Sequence, residues 1–432
     1  MYASGYGYNF KKNTFEKTGI LYLDSQPKDA LIHINNKYEN KTPNRFTRLM
    51  PDNYQVKITK DGYYTWEKEL EVKSGLTTFA KNIILFKQNL PINIIEGEIN
   101  ILRVSPNKEK IIYSVIKENS EELRLLNLNN QSDFLIQKLN QKNYNELEFV
   151  SWSPNQNKIM IRQGVGGFDK YLIIDIDTLK IKELFNITRL NFGKVDWDRT
   201  DENYLYGLRS SVLYQIDLIN DSIKALLSAN IKDFQVRNKT IYYISQVADE
   251  SFLNKSTIEE QKTSSPEKIK LPSPSQYTIG PSTQDYLALL DKKNNDLFVI
   301  SVKSFDDSEV VQDIVLQDKA KEIFWSADFK NLLYFNDSEI STFNIENRQK
   351  NLINRYSTSI NQVSWYNNHH YIIYQTENSI YSIETTGQNF KNDIELTSLP
   401  IIDYFLIDSA QKNIYFKGET GQQRGIYKLE IQ

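Results

Sequence analysis

One pattern returns along most of this chain: an apolar strand, a short polar turn, then a second apolar strand. The clearest copies are Val150-Ser151-Trp152-Ser153-Pro154 before Lys158-Ile159-Met160-Ile161, and Ile323-Phe324-Trp325-Ser326 before Leu332-Leu333-Tyr334-Phe335. Val363-Ser364-Trp365 precedes Tyr371-Ile372-Ile373-Tyr374, and Val195-Asp196-Trp197 precedes Tyr204-Leu205-Tyr206, in the same way. Fainter copies start at Val104-Ser105-Pro106, Phe234-Gln235-Val236, Tyr277-Thr278-Ile279 and Phe405-Leu406-Ile407. Aligned on Val104, Trp152, Trp197, Val236, Ile279, Trp325, Trp365 and Ile407, the copies recur about every 43 residues, the period of a four-stranded propeller blade.

A third strand follows in most copies, such as Tyr171-Leu172-Ile173-Ile174-Asp175, and then a fourth, such as Lys180-Ile181-Lys182-Glu183-Leu184. The units resemble the blades of TolB-type and WD-repeat propellers. The expectation is an all-β chain whose residues 89–432 form a β-propeller of eight blades, with seven as the alternative. The last copy offers three strands only, and Pro91-Ile92-Asn93-Ile94-Ile95 has no partner nearby. This N-terminal strand is therefore expected to complete the last blade as its outer strand, so that no sheet edge stays open. The Trp residues of the repeat then read as packing anchors between blades.

Before the repeat, residues 18–88 read as a small β-sandwich, with residues 1–17 as a hairpin and linker. Ile20, Tyr22 and Ala30-Leu31-Ile32-His33-Ile34 alternate, as do Tyr54, Val56 and Ile58. Turn residues separate them at Gln26-Pro27-Lys28-Asp29, Asn35-Asn36-Lys37, Pro51-Asp52-Asn53 and Asp61-Gly62. Upstream, Tyr6, Tyr8, Phe10 and Phe15 flank Lys11-Lys12-Asn13, which suits a hairpin.

Pro27-Lys28-Asp29-Ala30, Thr42-Pro43, Leu49-Met50-Pro51-Asp52-Asn53-Tyr54, Asp61-Gly62-Tyr63 and Trp66 follow in the order found in PEGA domains, which this segment resembles. Asp29 and Asn53 stand where that family usually has Gly, and both residue types tolerate left-handed backbone. The resemblance implies a surface-associated module. Relatives of this architecture carry a membrane helix before the segment matching Tyr2–Phe10, which implies that Met1 stands where an anchor was removed.

Composition excludes several chemistries. A formal net charge of -3 gives no positive field for nucleic acid. The absence of cysteine removes disulfides, thiolate metal sites and Cys nucleophiles. No apolar run approaches the 18 or so residues of a membrane span, and no signal peptide is visible.

No catalytic, cofactor-binding or metal-ligating residues are assigned. The sequence has no Gly-x-Ser-x-Gly elbow. Gly164-Val165-Gly166-Gly167 lacks the Lys-Ser/Thr of a phosphate cradle and reads as a hairpin turn. Of the three histidines, His33 lies in a sandwich strand, while His369 and His370 are adjacent, so their side chains diverge. Asp196, Asp198 and Asp201, and Asp175 with Asp177, fit no calcium-loop pattern and read as turn residues. Residues 248–276 are the most polar stretch and read as a loop or insertion in the fourth unit.

The expected function is a non-catalytic, extracytoplasmic interaction or scaffold protein. In this reading the propeller binds a protein or a cell-envelope polysaccharide, without nucleic acid or cofactor, and an anchor missing from this chain tethers the full-length form to the cytoplasmic membrane. The alternatives are a lyase or glycosidase with its site at the central channel, or a self-assembling surface protein.

Overall fold

The computed structural model describes residues 5–9, 13–258, 267–305, 314–386, 391–421 and 423–432. The expected turn residues Lys11 and Lys12, the Met1 position and the centre of the polar 248–276 stretch lie outside these. The chain divides into two compact units, one built from residues 1–96 with 359–432, the other from 97–358.

In the first unit, Tyr6–Asn9 pairs with Thr14–Lys17 as a hairpin. Two sheets then make the sandwich. Gly19–Gln26 lies between Asn44–Leu49 and Thr77–Ile84 in one. Lys37–Lys41, Leu31–Ile34, Asp52–Thr59 and Trp66–Val72 form the other in that order. Strict alternation in Gly19–Gln26 buries Leu21 and Leu23 against Ile32, Val56, Ile58 and Trp66. Asn35 and Asn36 both take positive φ in the two-residue turn after Ile34, as a tight hairpin requires. Asp29 is left-handed as expected, at φ 60°. Asn53 is not: it sits in the strand Asp52–Thr59 and donates to Glu69 across the sheet at 2.8 Å. Asp52 and Asn53 already pair with Val72 and Glu71, so the backbone there is extended and no left-handed residue is needed.

Outside the sandwich, the described residues form eight four-stranded antiparallel meanders. Six belong to the second unit and span residues 98–140, 146–183, 194–228, 231–270, 277–319 and 322–355. The seventh spans 362–398, and the eighth takes three strands from 401–430. Its fourth strand is Ile92–Glu96, which pairs with Gln423–Glu430. At this junction Gly425 has no substitute, because a Cβ there would lie 1.9 Å from the Ile95 carbonyl oxygen.

Within each unit, apolar cores fill the space between neighbouring sheets. Trp152 lies in the core of the first and second sheets, and Trp197 in that of the second and third. Trp325 stacks on Tyr286 at 6.5 Å and donates to the Pro281 carbonyl at 2.9 Å, both in the fifth sheet's segment. Trp365 differs. Its neighbour Tyr366 enters the core, and Trp365 meets the edge of His369 instead. The polar 248–276 stretch is less irregular than its composition suggests, since Glu250–Thr257 and Glu267–Lys270 are ordinary strands of the fourth sheet.

The sandwich is fastened to the last two sheets of its own unit. Phe86 is fully buried between Tyr366 and Tyr371. Ile84 donates its backbone N–H to the Tyr371 hydroxyl at 3.0 Å, and Gln432 donates to the Leu85 carbonyl at 2.6 Å. Glu384, buried on the seventh sheet, accepts from both Trp66 and Lys68.

Candidate functional site

Residues of the second and third sheets line an open cleft of about 410 Å³, which falls in the size range of small-molecule sites. One wall is the strand Glu146–Trp152, whose register against Lys158–Val165 slips between Phe149 and Ser151. A bulge breaks the alternation of a strand and re-aims its side chains. Here the consecutive residues Val150 and Ser151 both line the cleft, together with Glu148.

The opposite wall, Lys194–Trp197, keeps its alternation. Val195 and Trp197 enter the core shared with the second sheet. Lys194 and Asp196 stay partly open, and both line the cleft. Gly193 precedes them, and a Cβ built on it meets nothing within 4 Å.

The cations of the cleft are already engaged. Arg162 bonds Asp169 at 2.7 Å and Glu148 at 2.6 Å, with Glu146 at 3.3 Å. Burial works against its charge, but Asp169 and Glu148 outweigh burial and hold the guanidinium ionised. Lys194 pairs with the buried Asp233 of the fourth sheet and also reaches the Phe234 carbonyl at 3.2 Å. The second oxygen of Asp233 accepts from the backbone of Ile279 at 2.7 Å, so this carboxylate ties three sheets together.

Asp196 behaves differently. Burial pushes its carboxyl above the ordinary range, with Lys194 and Arg199 pulling the other way. Arg199 is in turn lowered by burial, opposed by Asp196. Asp196 accepts a hydrogen bond from its neighbour's backbone, Trp197 N, at 2.9 Å. On the second sheet the Ser151 hydroxyl is buried and has no hydrogen-bond partner. Tyr171 is pushed up to about 12, first by burial and then by Asp169. The arrangement can hold a polar guest between two walls. It also places one carboxyl whose pKa burial raises at the edge of the cleft, a feature that functional and structural buried acids share.

The other residues weighed in the sequence take separate places. Asp198 caps the following turn through Thr200 and Asp201 and accepts from Tyr206 at 2.9 Å. Asp201 does the same for Asn203. Asp175 caps the turn through Asp177 and Thr178. Asp196 alone of these leaves the turn, because it sits on the strand opposite Tyr206. Its signal in the sequence was the alternation Lys194-Val195-Asp196-Trp197, which sets it on the face that Trp197 does not use. His33 packs on Tyr38 at 5.9 Å. His369 and His370 lie 5.5 Å apart, and His370 engages Asn82 at 3.0 Å. Gly166 and Gly167, at φ 57° and 85°, form a two-residue hairpin turn. Among the described residues no cluster of His or carboxylates could hold a metal ion, and no helix is long and apolar enough to cross a membrane.

Residues 18–84 match the PEGA domain family. No curated protein matches the chain by sequence. The solved structures it resembles are β-propellers. The Dos1 propeller aligns at a TM-score of 0.51 and 12% identity, over 80% of this chain and 96% of that one. Dipeptidyl peptidase 4 of Porphyromonas gingivalis aligns at 0.54 and 11% identity, over 79% of this chain and 60% of that one. The dihydro-heme d1 dehydrogenase NirN aligns at 0.52 and 10% identity, over 79% and 77%. The protein therefore carries a PEGA domain followed by a β-propeller. A peptidase, a dehydrogenase and the Dos1 propeller share this likeness, which shows the fold and leaves the activity to the site.

Proposed function

We propose that this PEGA–propeller protein is a non-catalytic interaction or scaffold protein that works outside the cytoplasm, with its propeller binding a protein or an envelope glycan. The observation that carries this reading is the state of the charges in the cleft. Arg162 and Lys194 are spent on carboxylates of the protein itself, which makes a rigid polar surface rather than a set of groups free to shuttle protons. The PEGA domain supports the location, since such domains occur in extracellular and periplasmic proteins. A tether to the cytoplasmic membrane belongs to the same proposal. Its test is fractionation of source cells with an antibody against the chain, and recovery in the cytosol would end it.

The binding role is tested by pull-down from the source cell's envelope fraction with the whole chain. Specific retention of a protein or glycan supports the role, and retention of nothing removes it.

One observation favours a second reading. Asp196 has a raised pKa inside a cavity, which suits a general acid in a lyase or glycosidase. Turnover of an envelope polysaccharide that disappears in Asp196→Asn would establish that reading in place of the first.

A further inference from the structure

We infer that a second cleft, between the first and second sheets, takes an uncharged, extended segment of a protein partner, with the carboxamide of Gln163 bonded to the main-chain N–H and C=O of one of its residues. This rests on the binding role proposed above and narrows its ligand to a protein.

This cleft has a volume of about 500 Å³, and strand register sets its walls. In the strand Lys158–Val165, Ile159 and Ile161 enter the core shared with the first sheet, and Gln163 continues the same alternation. Lys170 pairs with Gln163 in register, and Glu183 pairs with Leu172 of that core, so all of these side chains share one face. On the first sheet Gln137 pairs with Leu123, which belongs to the same core, and Leu139 follows it two places on. The two faces are therefore opposed, and Gln163, Lys170, Leu172, Glu183, Gln137 and Leu139 all line the cleft.

Gln163 is only 7% exposed, and its carboxamide has no hydrogen-bond partner among the described residues. Neither its oxygen nor its nitrogen is sealed in, so a guest in the cleft can reach them. A buried amide left unmet costs stability, and a guest that bonds it gains from that term. The carboxamide donates and accepts side by side, which matches the N–H and C=O that an extended residue turns to one side. The protein makes this pairing itself: Gln362 donates to the Phe405 carbonyl at 2.7 Å and accepts from the Phe405 N–H at 2.8 Å. On the opposite wall Gln137 donates to the Lys138 carbonyl at 3.3 Å and keeps its own oxygen for a second main-chain N–H. Lys170 and Glu183 neutralise each other at 2.9 Å, which suits an uncharged segment. Leu139 and Leu172 give its side chains an aliphatic floor, and no aromatic ring lines the cleft for a sugar to stack on. Main-chain bonds with apolar pockets between them are how extended peptides are recognised.

The test selects peptides on the full chain from a displayed library of random linear sequences and titrates the best of them by calorimetry, with chitotetraose as the glycan control. The expected result is single-site binding of an uncharged peptide. Gln163→Leu removes both bonds at little change in volume and is expected to weaken it by about tenfold. N-methylation of one main-chain N–H, with every side chain kept, should weaken binding to the parent protein and make less difference to Gln163→Leu. Melting temperatures no lower than the parent's certify the variants. Val165→Arg, which obstructs the cleft from an exposed position, serves if Gln163→Leu does not fold. Peptide binding that neither variant weakens overturns the inference. So does binding of chitotetraose, and of no peptide, that Gln163→Leu or Val165→Arg abolishes. If no peptide binds but the envelope pull-down retains a protein or glycan, the inference fails and the interaction role stands. Peptide binding that depends on Gln163 beside an empty pull-down keeps the site and removes the role in the envelope. If neither occurs, both fail.

Discussion

The indole nitrogen of Trp66 donates to one oxygen of Glu384 at 2.6 Å, while Lys68 reaches the other oxygen at 2.8 Å. Trp66 and Lys68 belong to the PEGA strand Trp66–Val72, and Glu384 ends a strand of the seventh sheet. Removing the carboxylate leaves a buried indole N–H without its acceptor and a largely buried ammonium with only the Thr386 carbonyl at 3.1 Å. Glu384→Ala is expected to cost about 3 kcal/mol, and Glu384→Gln less, because the amide oxygen still accepts from Trp66. Urea unfolding followed by Trp fluorescence measures both.

The eighth sheet depends on Gly425. A side chain there collides with the Ile95 carbonyl, so Gly425→Val is expected to expel Ile92–Glu96 and cost about 2 kcal/mol or more. Hydrogen exchange is the direct readout. Amides of residues 92–96 should lose protection while those of the second unit keep theirs.

His370 contributes a decline in stability on the mildly acid side of neutrality. Burial and the adjacent His369 lower its pKa below the ordinary imidazole value. The unfolded chain therefore takes up a proton that the folded chain resists. Stability should be full at neutral pH, decline as pH falls below about 6.5, and level off below the lowered pKa of the folded state. Protonation also removes the acceptor that neutral His370 offers to the Asn82 amide. His370→Asn is expected to lose this part of the slope, as read from urea midpoints at about pH 7.5 and about pH 5.

Asp233 joins three neighbouring sheets through Lys194 and the Ile279 backbone. Asp233→Ala is expected to cost about 2 to 3 kcal/mol, leaving a buried backbone N–H unpaired. Urea unfolding of the variant against the parent protein measures that cost.

The repeat was legible because Trp152, Trp197 and Trp325 mark the same place in the second, third and sixth sheets and pack in or against the cores between sheets. The strand partner of Gln423–Glu430 was legible for a different reason: Ile92–Glu96 had no other sheet to join. The clamp on Glu384 was not legible. It is made by residues far apart in the chain, and a carboxylate at a strand end looks the same whether it meets water or an indole. The cleft was half legible. Asp196 was noticed among acidic neighbours, but Asp198 and Asp201 took its local role in the turn, which freed it for the strand face. The bulge that brings Ser151 to the cleft carries no residue signature.

The pairing of Ile92–Glu96 with Gln423–Glu430 fixes an order of events during synthesis. The early strand leaves the ribosome roughly half a minute before its partner exists, at about 10 residues per second. Through that interval Ile92 and Ile94, still exposed in the finished protein, stand on an unpaired edge. Nascent chains are thus open to strand capture by one another until residues 423–430 have been made. A chain stopped before residue 423 keeps that hazard permanently, whatever the state of the sheets already made.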